Sequence, residues 1–128
     1  SLCEQEYHGV VLCALGWGCW KTYVSRAETD VPRQLAMSVL GLGLYNARHH
    51  EDALIVQEAE FSMLRRLGVP VDAILCALAN LATTYAELGR LEKALRMRRD
   101  TYSGRMKLNG EENESTLIAA NNYASSLL

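Results

Sequence analysis

The chain resembles itself at a spacing of 41 to 42 residues, and that period limits its possible folds more than any other feature. The segment Leu78-Ala-Asn-Leu81-Ala82-Thr-Thr-Tyr85 matches Ala120-Asn-Asn-Tyr123-Ala124-Ser-Ser-Leu127 at an offset of 42. Upstream, Met37-Ser-Val-Leu40-Gly41-Leu-Gly-Leu44 matches the first of these at an offset of 41. In all three, apolar or small residues fall at i, i+3, i+4 and i+7, the one-face pattern of an α-helix. The next segment repeats as well: Arg48-His-His-Glu-Asp-Ala53-Leu54 matches Gly89-Arg-Leu-Glu-Lys-Ala94-Leu95 at an offset of 41, and Gly68 matches Gly110 at 42. It begins with acidic residues (Glu51, Asp52; Glu92) and ends with basic ones (Arg65, Arg66; Arg105, Lys107), an order that suits the helix dipole. Each unit therefore reads as a helix A followed by a helix B with a glycine stop.

This pattern predicts helices over about 4–26, 33–47, 51–67, 72–88 and 92–108, and a further one starting near Ser115. Asp30 with Pro32, and Pro70 with Asp72, mark two starts, and Ser115 is the expected N-cap of the last helix. Gly41, Ala82 and Ala124 share one helix A position, and Ala53 and Ala94 share one on helix B. A glycine within a helix costs about 1 kcal/mol relative to alanine, so close approach of helix B is expected there. Leu44, Tyr85 and Leu127 lie one turn further on and are expected to fill the seam. Composition agrees: Leu and Ala number 35, Val, Ile and Thr only 17, and there are two prolines, a balance that favours helix over sheet. With 49% hydrophobic and 22% charged residues, disorder and collagen are excluded.

The organisation expected is an N-terminal helical segment over 1–30 (a degenerate repeat or a cap), a divergent repeat over 31–70, the best-matched repeat over 71–112, and a truncated repeat's helix A over 113–128. The fold class is all-α, a right-handed superhelix of antiparallel helix pairs. Neither end falls on a repeat boundary, which suggests a window cut from a longer array.

The formal net charge of -2 gives no basic field for nucleic acid or anionic membrane. Arg90, Lys93, Arg96, Arg98, Arg99, Arg105 and Lys107 form a local basic run, but Glu92 and Asp100 interleave and no aromatic platform accompanies it. The run is expected to be a solvated outer face. Cys3, Cys13, Cys19 and Cys76 form no CxxC pair and sit among apolar neighbours. They read as reduced, buried small hydrophobes, which points to a reducing, cytoplasmic setting. The uncharged stretch from Gly9 to Trp20 is too short to cross a bilayer, where about 20 apolar residues are needed, and it is expected to be a helix buried on most sides. The sequon Asn113-Glu-Ser115 matters only in a secreted protein.

Chemistry finds little support. Adjacent His49 and His50 point about 100° apart on a helix, and no second ligand cluster has a familiar spacing, so no metal is expected. Gly41-Leu-Gly43 lacks the strand-turn context and third glycine of a nucleotide loop. No serine or cysteine stands in a nucleophile motif. Neither catalytic residues nor a cofactor is expected.

These residues resemble the tetratricopeptide repeat, best in its 42-residue form, as in kinesin light chains. The helix A core of that form is similar to Ala79-Asn80-Leu81-Ala82 and Asn121-Asn122-Tyr123-Ala124, and its turn to Tyr85-Ala-Glu-Leu-Gly89-Arg-Leu-Glu-Lys-Ala94. The loop from Gly110 to Leu117 keeps the Gly and Thr-Leu but lacks two prolines and a histidine. In the first unit Val39 stands where Asn80 would be and Arg48 where Gly89 would be. The resemblance covers about 33–128 and is strongest over 73–128. It implies a scaffold or adaptor that binds a partner protein or peptide on a concave face lined by A helices. The implied contact residues are Leu42, Tyr45, Asn46, Asn80, Thr83, Glu87, Asn121, Asn122 and Ser125, with Leu35, Ser38, Val39, Cys76, Ala79 and Ile118 beside them. The helix A asparagines Asn80 and Asn122 are implied to hydrogen-bond a peptide backbone. Such a groove carries few charges, which favours a peptide with apolar anchors. Two alternatives stand beside this: homo-oligomerisation through the apolar N-terminal segment or the last helix, and an accessory region of a larger enzyme.

Overall fold

The computed structural model describes the backbone of residues 2–128 and the side chains from residue 8 onward. Six helices follow one another: α1 Leu2–Tyr23, α2 Val31–Asn46, α3 His50–Leu67, α4 Val71–Glu87, α5 Leu91–Asn109 and α6 Glu114–Leu127. The described residues contain no strand. They form two units that meet at Leu67 and Gly68 in the chain, the first holding α1 to α3 and the second α4 to α6. Within each unit consecutive helices pack together.

The helix ends follow from their capping chemistry. Asp30 caps α2, its side chain accepting the Arg33 N–H at 3.1 Å. The cap of α6 is Asn113, whose side chain accepts the Ser115 N–H at 2.9 Å. The expected Ser115 cap is therefore corrected: Asn113 takes the extended backbone conformation a cap needs, and Ser115 lies inside the first turn. Gly68, Gly89 and Gly110 all take positive φ, of 65°, 77° and 85°.

The two A-to-B turns are the same object. In the first, Ala47 N–H donates to Gly43 O, Arg48 N–H to Tyr45 O, His49 N–H to Leu44 O and Ala53 N–H to His49 O. In the second, Leu88 N–H donates to Thr84 O, Gly89 N–H to Ala86 O, Arg90 N–H to Tyr85 O and Ala94 N–H to Arg90 O. Every donor and acceptor is displaced by 41 residues. The paired bonds around a left-handed residue make a Schellman motif. Arg48 holds that left-handed position at φ 66°, the only non-glycine described residue with positive φ.

In the first unit the core includes Leu40, Leu44 and Ala53, with Cys13, Trp20, Tyr45 and Val56 against them, and also Ala36, Met37, Leu54, Met63 and Leu64. In the second it includes Leu75, Leu81, Ala82, Tyr85, Ala94 and Ala119, with Thr84 and Thr116 fully buried. The Thr116 hydroxyl donates to Arg105 O at 3.1 Å and ties α6 to α5. Gly41 is small because α3 passes close: a Cβ there would meet Gln57 Cγ at 3.1 Å. Ala124 and Leu127 are exposed, unlike their equivalents Ala82 and Tyr85. Leu127, expected in the seam, is 60% exposed.

Glycine dictates how α1 meets α2. A Cβ on Gly9 would lie 2.3 Å from Asn46 O, on Gly16 2.8 Å from Leu40 Cα, and on Gly43 2.8 Å from Leu12 O. The two backbones thus touch. Only that face of α1 is covered: Val10 (62%), Leu15 (58%) and Trp17 (44%) remain exposed. The expectation of a helix buried on most sides is corrected, since among the described residues α2 is the helix that packs on it substantially. The cysteines are corrected with it: Cys19 and Cys76 are exposed and Cys13 half-buried, while the Cys3 side chain lies outside the described residues. No helix among the described residues is long and apolar enough to cross a membrane.

Candidate functional site

A cleft of about 190 Å³ opens in the second unit, lined by Ala79, Asn80, Thr83, Arg98, Thr101, Ala119 and Asn122. Its origin is local. Helices α4 and α6 each pack on α5. The side chains that α4 and α6 turn towards one another at this level are small or polar, with Ala79 and Ala119 supplying only a methyl group each. Residues three or four apart share a helix face. Accordingly α4 contributes Ala79, Asn80 and Thr83, α5 contributes Arg98 and Thr101, and α6 contributes Ala119 and Asn122.

The polar groups differ in how far they are satisfied. The Thr83 hydroxyl donates to Ala79 O at 3.1 Å and the Thr101 hydroxyl to Met97 O at 2.8 Å, so both protons are used within their own helices and the oxygens retain acceptor capacity. The side-chain amides of Asn80 and Asn122 have no protein partner among the described residues. Arg98 is half-buried and gives one Nη1 hydrogen bond to Ser126 Oγ. No carboxylate lines the cleft.

The basic run is not one solvated face. Arg105 is buried and ion-paired with Asp72, while its Nη2 lies 3.2 Å from Cys76 Sγ. The hydrogen bond to Asp72 is the main reason its guanidinium holds its proton above the ordinary range, against the opposing effect of burial. Lys93 and Arg90 stand over the Tyr85 ring, at 4.7 and 5.9 Å from its centre. Arg96, Arg99 and Lys107 are exposed. The expectation fails because Ala94, Arg98, Thr101 and Arg105 recur at helical spacing and share the face of α5 that meets α4 and α6.

Of the implied contact residues, Asn80, Thr83 and Asn122 come together in this cleft, with Ala79 beside them. Glu87 lies exposed at the end of α4, and Asn121 and Ser125 are exposed on α6 away from the cleft lining. Leu42, Tyr45 and Asn46 belong to the first unit. Leu42 and Asn46 are exposed there, the Asn46 amide donating to Leu42 O at 2.8 Å. Tyr45 is half-buried on the core with its ring edge-on to His50 at 5.0 Å. Sequence reasoning missed Arg98 and Thr101 as cleft residues. The α5 stripe just described was their signal. No group of three or more His, Cys, Asp or Glu residues able to hold a metal occurs among the described residues. Compared with known proteins, the chain matches no family model and no curated protein.

Proposed function

We propose that the chain is a protein-interaction module built from tetratricopeptide-like helix pairs, and that its second unit holds a peptide segment of a partner between α4 and α6. The observation that carries this reading is the cleft in which Asn80, Thr83 and Asn122 meet, with both amides free of protein partners among the described residues. An amide that can donate and accept suits a peptide backbone, which needs both. The reading takes the helix pairs as repeats of a right-handed superhelix in the 42-residue, kinesin light chain-like style, acting as a cytoplasmic scaffold or adaptor. The residue-for-residue agreement of the two Schellman turns supports the repeat.

The test is a selection from a displayed random peptide library. Wild type should enrich a shared motif, and the Asn80→Ala, Asn122→Ala double variant should lose it while keeping its helical circular dichroism. Enrichment that survives the double substitution sinks the cleft assignment. A second reading, self-association, is favoured by the exposed apolar face of α1 carrying Val10, Leu15 and Trp17. A strictly monomeric species by light scattering at micromolar concentration would remove it.

A further inference from the structure

We infer that the cleft selects an acidic side chain of the bound segment, with Arg98 as the residue that determines this specificity. The inference rests on the peptide-binding reading above and adds a charge requirement to it. Arg98 lies on a B helix, outside the A-helix residues that the repeat resemblance designates.

Two half-buried or buried arginines on one face of α5 make the argument. Arg105 has its carboxylate, Asp72. Arg98, two turns earlier, has none: its described partner is the neutral Ser126 hydroxyl, which takes a single N–H. A guanidinium offers five N–H donors and no acceptor. A cation drawn out of water is ordinarily paired, because its desolvation is otherwise uncompensated. The cleft beside Arg98 holds the unpartnered amides of Asn80 and Asn122 and no negative group. What this lining lacks is a carboxylate, which would accept from Arg98 and from an amide N–H at once.

Size and placement favour a side chain. About 190 Å³ is below the roughly 300–1,000 Å³ of pockets that enclose small molecules. It takes one short side chain of a passing segment. Asn80 on α4 and Asn122 on α6 stand on opposite sides, where a backbone that continues in both directions can meet each of them.

The experiment compares blocked peptide pools by fluorescence anisotropy. Each pool is N-acetylated and C-amidated, with uncharged randomised flanks around a central Glu or a central Gln. A third pool carries the central Gln and a free carboxyl terminus. Wild type should bind the Glu pool about tenfold more tightly than the Gln pool, the scale of one charge-assisted hydrogen-bonded pair. The preference should weaken with added salt. Arg98→Gln should reduce it to less than twofold, Arg98→Lys should retain part of it, and Arg99→Gln, at an exposed site outside the cleft, should leave it intact. Equal binding of the Glu and Gln pools overturns the inference, as does a full preference in Arg98→Gln. Tight binding of the free-terminus pool alone also overturns it, in favour of a chain end. Gln-pool binding that shows no charge preference, but is lost in the Asn80→Ala, Asn122→Ala variant, removes the inference and leaves the peptide-binding reading standing. If wild type binds no pool, both fall.

Discussion

The two units join their first two helices in different ways. Between α1 and α2 the glycines Gly9, Gly16 and Gly43 bring backbone against backbone. Between α4 and α5 the neighbour of a glycine is a side chain: a Cβ on Gly104 would meet Leu75 Cδ2 at 2.5 Å. Backbone contact leaves no room for recognition and no means of yielding. Side-chain contact can yield, and the cleft lies in the unit built that way. The candidate cleft thus lies in the unit whose helix contact is adjustable, and the rigid contact lies in the other.

The largest effect should come from breaking the backbone contact. Gly43→Ala puts a methyl group 2.8 Å from Leu12 O and 2.9 Å from Cys13 Cα, so the two helices must separate. A loss of about 2–3 kcal/mol is expected, at the upper end of overpacking costs. Gly104→Ala should cost far less, because the tip of Leu75 can turn aside and alanine recovers up to about 1 kcal/mol of helix propensity. Urea midpoints of the two variants decide the matter, and equal losses would erase the distinction between the units.

Next comes the buried acid of the first unit, set against the buried base of the second. Glu60 is 5% exposed and accepts a hydrogen bond from the Ser38 hydroxyl. Desolvation raises its pKa above the ordinary value, only partly opposed by Ser38. The folded state therefore binds the proton more firmly than the unfolded chain. The stability this contributes is present below the unfolded pKa and is lost as pH rises through the folded one. Glu60→Gln keeps the acceptor and removes the charge. It should gain about 1–2 kcal/mol on wild type at neutral pH, the scale of a poorly compensated buried polar group, and the gap should close towards acid. Denaturant midpoints across that range measure it. A gap that widens in acid would reverse the sign and refute the argument.

The helices were legible in the sequence because local rules specify them: periodicity, acidic starts, basic ends and glycine stops place the helix ends within about three residues of those observed. Asp30 was legible as a cap for the same reason. What failed depends on neighbours. Nothing in the local sequence of α1 says that Gly9 and Gly16 face a partner while Val10, Leu15 and Trp17 do not. Asn80 and Asn122 came from a resemblance, while Arg98 was hidden inside a run of charges whose average is a solvated face. Position on the α5 stripe, not charge, determined where it went.

A smaller effect separates two candidate caps. Asn113→Ala removes the acceptor of the Ser115 N–H and should cost about 1 kcal/mol. Ser115→Ala touches no described cap bond and should stay within about 0.5 kcal/mol. Thermal melts that rank the two in the opposite order would restore Ser115 as the cap.

The smallest effect tests the closest likeness between the units. The turns after α2 and α4 share every hydrogen bond, yet one places Arg48 and the other Gly89 at the left-handed position. A Cβ in that conformation costs roughly 1–2 kcal/mol, and glycine recovers it while giving back about 0.5–1 kcal/mol of chain entropy. The Arg48 side chain is exposed and makes no described contact, so little else changes on its removal. Arg48→Gly should therefore stabilise by about 0.5 kcal/mol and Gly89→Arg should destabilise by a similar amount. The pair is read as opposite shifts of the urea midpoint with unchanged slope. If Arg48→Gly instead destabilises, the backbone geometry of the two turns is not what sets their energies, and the arginine holds its turn through contacts the folded chain does not display.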